Sequence, residues 1–372
     1  MRVTQPAVLV GAYDWEEKFL PKAEFEGRIK EMFAKLAGTG ATGVVVYGNK
    51  VDNAALAWLT NFAPKIESGC ALITPDGKVR IHGSGSPHMM VNAKRLTWTE
   101  DVRPQRDIGK HVSDWATELG LGALAFWASD AMPADLMPRI TAGLEGRELR
   151  DVGSTLDPLL LKKSPVALNL IRGACGMLEK SVTTLRQSFK SGVSARAAAL
   201  AAETVAYDSG AQDVRMLISM SKGGTPTAID YPEGVKLDPL LAYIAIRHST
   251  YWADGALTIS ASPSATLTKT QDALKAMIAK AKAGASVADL SAAAQEKLSG
   301  LAVHPVAQKA VNGIGLSLTE AEADRGPVTR LEEGRVYSIR AGARGGEGDA
   351  ALFSAMILAK ADRAEILWSS LA

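Results

Sequence analysis

At 372 residues the chain is long enough for two domains, each with a core of its own. Hydrophobic residues make up 47% and charged residues 22%, the balance of an ordinary globular protein. A formal net charge of +2 with no basic cluster argues against nucleic acid or an anionic membrane as a partner. No uninterrupted apolar run reaches the roughly 18 residues of a membrane span, and Met1 to Val10 lacks the basic lead and apolar centre of a signal peptide. Cys70 and Cys175 are too few and too far apart for a disulfide framework or a zinc cluster, so a reducing cytoplasm is the expected compartment.

The first part alternates helix-like and strand-like segments. Phe25 to Leu36 has helical spacing, and Gly43-Val44-Val45-Val46-Tyr47 reads as a buried strand. The apolar segment Leu56 to Phe62 follows, with Trp58 and Phe62 as core residues. Cys70-Ala71-Leu72-Ile73 with the turn Pro75-Asp76-Gly77 predicts a hairpin. Alternation continues to Leu149, which defines an α/β domain over residues 1–155. Gly153, Pro158 and Pro165 interrupt the pattern, and a second domain is expected over 156–372. It opens with long helices, Val166 to Ser188 and Ala195 to Tyr207, the latter capped by Ser194. Lys190-Ser191-Gly192-Val193-Ser194 recurs in kind about ninety residues on, as Lys282-Ala283-Gly284-Ala285-Ser286 before the helix Val287 to Leu298. Two related helix starts suggest an internal duplication. Gly345-Gly346-Glu347-Gly348 is a loop and not a phosphate cradle, since no Lys-Ser/Thr follows.

Five segments in this order carry a family resemblance. Lys163-Ser164-Pro165 precedes Leu170-Ile171-Arg172-Gly173-Ala174; Gly192-Val193-Ser194 follows; then come Tyr251-Trp252-Ala253-Asp254-Gly255-Ala256-Leu257-Thr258, Asn312-Gly313-Ile314-Gly315-Leu316 with Thr319-Glu320, and Val336-Tyr337-Ser338-Ile339-Arg340. Together they resemble the pita-bread peptidases: methionine aminopeptidase, prolidase, aminopeptidase P and creatinase. The resemblance covers most of the chain. It implies a small creatinase-like N-terminal α/β domain followed by a pseudo-symmetric pita-bread α+β domain, and a homodimer. In that family the fourth segment resembles His-Gly-Ile-Gly-Leu followed by His-Glu, and the fifth ends in a ligating Glu. Here those positions hold Asn312, Thr319 and Arg340. The Asp that the family places eleven residues before Asp254 falls on Tyr243, no acid occurs from Pro239 to Ala253, and the last ligating Glu falls near Phe353. Asp254 is the one family ligand that survives. Two hard cations need several convergent carboxylates, and a guanidinium repels them, so no metal and no other cofactor is expected.

Creatinase shows that this frame can hydrolyse a small molecule with a histidine and no metal. Its histidine position, around Thr225 to Asp230, holds no histidine here, although Asp230 could serve as a weak base. His248, in the Arg247-His248-Ser249-Thr250-Tyr251 connection, becomes the candidate general base. Asp254 and Glu320 are the candidate proton-transfer acids. Arg340 either pairs with Asp254 or binds a substrate carboxylate bidentately. Arg247, Asn312 and Tyr251 are further substrate-binding candidates, and His304 and His88 are lesser candidates for the base. The expected function is metal-independent hydrolysis of a C–N or similar bond in a small carboxylate-bearing compound. Non-catalytic binding of a protein or small ligand, and lyase chemistry on a small carboxylate, are the alternatives.

Overall fold

The structure is a computed structural model describing residues 14–64, 66–144, 146–228, 236–320 and 326–371. The chain divides into two compact units between Leu161 and Lys162.

In the first unit, strands β1 (Ala41–Asn49), β2 (Ser68–Ile73), β3 (Val79–Ser84), β4 (Val102–Gln105), β5 (Ala123–Trp127) and β6 (Leu149–Asp151) form one mixed sheet in the order β4-β3-β2-β1-β5-β6. The helices are α1 (Lys22–Lys35), α2 (Ala54–Thr60), α3 (Pro87–Ala93), α4 (Ile108–Glu118), α5 (Leu136–Gly143) and two single turns, α6 (Gly153–Leu156) and α7 (Pro158–Leu161). Val44, Val45 and Val46 are fully buried because helices cover both faces of β1. The turn at Gly77 takes φ +84, where glycine costs nothing, and joins β2 to β3 as an antiparallel hairpin. Asn61 ends α2 in the left-handed region and donates to the Leu96 carbonyl at 2.9 Å. Trp58 and Phe62 are both core. The α6–α7 turns belong to this unit: Trp127 Nε1 donates to Asp157 at 2.8 Å. The division into compact units therefore follows them.

The second unit is a doubled α/β arrangement. Helices α8 (Pro165–Lys190) and α9 (Ala195–Asp208) lead into β7 (Asp213–Ser219), β8 (Pro226–Ala228), β9 (Leu240–His248) and β10 (Tyr251–Ile259), a sheet ordered β10-β9-β7-β8. Helices α10 (Ala265–Lys280) and α11 (Val287–Lys297) lead into β11 (Ala302–Val303), β12 (Val311–Gly313), β13 (Val336–Arg344), β14 (Ala350–Leu358) and β15 (Glu365–Ser369). In this second sheet β13 carries β11 and β12 along one edge and β14 on the other. The recurring helix starts are equivalent: Gly192 (φ +77) precedes Ser194, which caps α9, and Gly284 (φ +82) precedes Ser286, which caps α11. The pita-bread arrangement expected from the resemblance is the one observed.

Strand alternation decides what each side chain sees. On β9 and β10, Ile244, Ile246, His248, Tyr251, Ala253 and Gly255 share the face toward α8. Tyr243, Ala245, Arg247, Trp252, Asp254 and Ala256 share the opposite one. On β13 and β14, Tyr337, Ile339, Ala341, Phe353 and Ala355 pack with Leu274, Met277 and Leu290 of α10 and α11. Ser338, Arg340, Ser354 and Met356, with Asn312 beside Ser338, share the other face. The two helix-free faces meet where Ala256 N–H donates to Ser354 Oγ at 2.7 Å and Leu352 N–H to Thr258 Oγ1 at 2.7 Å. A concave surface follows, lined by alternate residues of both sheets.

Candidate functional site

Asp254 lies at the centre of that surface with no exposed area. Its Oδ2 accepts hydrogen bonds from Arg340 Nη2 and, at 3.0 Å, from the Tyr243 hydroxyl. The Arg340 guanidinium also lies 5.6 Å over the Tyr243 ring. Burial opposes the Arg340 charge, but the Asp254 carboxylate and the Tyr243 oxygen outweigh it and hold the guanidinium above its ordinary value. Burial and then the Asp254 charge raise the Tyr243 phenol, which stays a neutral donor. Of the two roles open to Arg340, the structure shows the ion pair. Some hydrogen-bonding capacity is left over. Asp254 Oδ1, Arg340 Nε, Asn312 Oδ1 and Ser338 Oγ are buried without a protein partner.

Asn312 spends its amide on the backbone, donating to Gly313 O at 3.1 Å and Leu318 O at 3.0 Å. Glu320 is not a free acid. Lys163 Nζ bonds both carboxylate oxygens, at 2.7 and 2.8 Å, and Leu316 N–H adds a third bond at 3.0 Å. Both side chains are almost wholly buried. Gly315 is what lets this pair close, because a Cβ there would sit 2.6 Å from Lys163 Cε and would overlap Glu320 Oε1. Gly315→Ala is therefore expected to cost about 1–3 kcal/mol by overpacking, read as a lower urea midpoint at unchanged slope. A wild-type midpoint would mean that the pair moves aside freely.

The expected meeting of His248 with Asp254 and Glu320 is corrected by the register. His248 pairs with Tyr251 across a Ser249-Thr250 turn whose two residues have positive φ. It lies on the α8 face, its ring against Gly173, where a Cβ would meet His248 Cδ2 at 2.9 Å. Tyr251 is buried on the same face and is likewise corrected as a contact for anything in the concave site. Arg247 is on the concave face, with Nε donating to Thr250 O at 3.2 Å and its guanidinium 5.7 Å from the Trp252 ring. Arg215 of β7 covers that ring as well, at 5.0 Å. Phe353 is in the helix-side core, and Ser354 stands opposite Arg340.

Asp230 and the His88 side chain lie outside the described residues. His82 is buried on β3 and stacks on His111 at 4.0 Å. Burial, then the neighbouring His111 charge, lowers His82 to about 4. Burial, then Arg344, lowers His304 to about 4. A folded-state value below the unfolded one means that the unfolded chain binds more protons on acidification. Each histidine then contributes stability that is full above about pH 6.5 and lost toward pH 4. The expected loss is on the order of 2 kcal/mol per histidine, measured by urea unfolding across that range. A flat profile would contradict it, and His82→Gln should remove its own share.

The residues present do not fit a dinuclear metal centre. Among the described residues no group of three or more His, Cys, Asp or Glu could hold a metal ion. Asp254 already shares Oδ2 with a guanidinium and a phenol. Sequence reasoning missed Lys163 as the counter-ion of Glu320, although Lys163-Ser164-Pro165 was in view. It also missed Tyr243 as a working donor and Ser338 and Ser354 as the polar floor.

Fold and site together define a pita-bread α/β protein whose ligand positions have been replaced. Residues 169–361, more than half of the chain, match Metallopeptidase family M24. The chain belongs to that family. Among solved structures it is similar to the X-Pro aminopeptidase of Thermotoga maritima, with TM-score 0.75 and 16% identity over 91% of this chain and 97% of that one. The prolidase of Pyrococcus horikoshii gives 0.70 and 18% over 92% and 97%. The N-terminal domain of the FACT complex subunit SPT16 of chickpea (Cicer arietinum) gives 0.64 and 16% over 94% and 96%. At these identities the likeness speaks for the fold. A search of curated proteins gives no match. Among the described residues no helix is long and apolar enough to cross a membrane.

Proposed function

We propose that this chain is a metal-free member of the family that binds a small carboxylate-bearing ligand without hydrolysing it. The observation that carries the reading is the Asp254–Arg340–Tyr243 cluster. A cation, a neutral phenol and one carboxylate are bonded to each other where a peptidase of this fold needs several free acids. The second acid, Glu320, is neutralised by Lys163. The chickpea structure supports the reading by showing this fold in a protein named as a subunit of a complex. A homodimer in the cytoplasm remains part of the proposal, and Cys70 and Cys175, both free and buried, suit a reducing compartment.

The test is metal analysis of the purified protein after manganese loading, with hydrolysis of Xaa-Pro dipeptides and longer Xaa-Pro peptides measured in parallel. No stoichiometric metal and no cleavage are expected. Two retained ions with turnover would sink the proposal. One observation favours a second reading, metal-independent cleavage of a C–N bond in a small carboxylate. Asp254 Oδ1 is a buried carboxylate oxygen on the concave face with no partner. Mass-spectrometric detection of a cleaved metabolite, lost in Asp254→Asn, would favour that reading.

A further inference from the structure

The concave face of β13 continues past Arg340, and there it carries donors without acceptors. His304 N–H donates to the Gly342 carbonyl at 3.0 Å, and a Cβ on Gly342 would meet His304 Cβ at 3.0 Å, so the two share this face. His304 Nδ1 accepts the Val306 N–H at 3.3 Å, which assigns the ring proton to Nε2. That Nε2 is buried and bonded to nothing, in a residue with no exposed area. Arg344 lies two residues beyond Gly342 on the same face. One Nη of Arg344 donates to Thr225 Oγ1 at 2.9 Å, while its Nε is buried and unbonded. Among the described residues no carboxylate pairs with Arg344. Arg340, by contrast, is answered by Asp254.

Water could accept from two orphan N–H groups but would leave the Arg344 charge without a carboxylate among the described residues. An oxyanion answers both, and a planar carboxylate suits the edge of a guanidinium. Gly342 lets the side chains of Leu352, Ala307 and His304 pack close over the strand at this point. At the rim the loop carrying Thr225 packs Gly223 against Gly348, and Lys222, an exposed cation, lies along the same glycine.

Resting on the binding reading above, we propose that His304 Nε2–H and Arg344 Nε–H together anchor the carboxylate of the ligand, in place of Arg340. The anchor leaves Arg340 paired with Asp254. It also predicts that His304 reports occupancy, because burial and then the Arg344 charge lower the imidazole, and an anion beside it offsets the second of these.

The test uses the full chain, histidine ring NMR assigned with His304→Gln, and thermal unfolding. Sodium acetate, inorganic phosphate and sodium chloride are compared at one ionic strength. Acetate should shift the His304 resonance saturably, raise its titration midpoint by about one unit, a tenfold change in proton affinity, and raise Tm. Arg344→Gln should abolish all three effects. Should that variant fold poorly, Arg344→Lys retains the charge but lacks the Nε edge, and at least a tenfold weaker acetate response is expected. Phosphate acting alongside acetate supports a general oxyanion anchor. Phosphate acting alone overturns the carboxylate assignment, and an equal effect of chloride, or no effect of acetate, overturns the site. Turnover of a carboxylate compound that acetate inhibits would overturn the binding reading and leave the anchor standing.

Discussion

Arg340→Ala is expected to destabilise the second unit by about 3–5 kcal/mol, the range for stripping one partner from a buried ion pair. A surface arginine would change stability by roughly 0.5 kcal/mol or less. The loss arises because Asp254 has no exposed area and would keep only the Tyr243 hydroxyl. Two companion results identify the cause. Adding Asp254→Asn to Arg340→Ala should recover much of the loss, since no uncompensated charge then remains. The deficit of the single variant should also narrow on acidification, because protonating the abandoned carboxylate removes the charge that has no partner. Urea unfolding at two pH values measures all of this. A single variant within about 1 kcal/mol of wild type would show that the pair contributes little to the fold.

Lys163→Met should be comparably damaging, at about 3–5 kcal/mol, for the same reason at a different place. Glu320 would keep only the Leu316 N–H, in surroundings that exclude water. The double variant Lys163→Met/Glu320→Leu carries no charge into that space and is expected within about 2 kcal/mol of wild type, since apolar replacement of a buried pair is often near neutral. Gly315→Ala should be milder in that background than alone, because two of the atoms it crowds, Glu320 Oε1 and Lys163 Nζ, are gone. Additive behaviour in this cycle would refute the coupling.

Much of the fold was legible because its signals are local. The run Gly43 to Tyr47, the turn at Asp76-Gly77 and the serines before two alanine-rich helices each fix an element through chemistry within a few residues. The surviving pita-bread segments then ordered the elements. The loss of ligands was legible for a related reason: an asparagine, a tyrosine and an arginine at three positions are visible without coordinates. What could not be read was direction. Whether His248 faces Asp254 depends on whether an odd or an even number of residues separates them across a hairpin, and a two-residue turn set that parity. The same parity puts Phe353 in the helix-side core and Ser354 opposite Arg340. Lys163 and Glu320 stand 157 residues apart in sequence and meet only through tertiary packing.

The Asp254–Arg340 contact also limits where descendants of this chain can go. A change toward the acid-rich ligand set of the family cannot begin at position 340, because Arg340→Glu alone would set two carboxylates together in a buried site and remove the cation that pairs with Asp254. Nor can it begin at Asp254, whose loss abandons a buried guanidinium. Each first step crosses a stability valley as deep as a small domain can tolerate. The replaced site behaves as a ratchet, one that further drift can elaborate and single substitutions cannot undo.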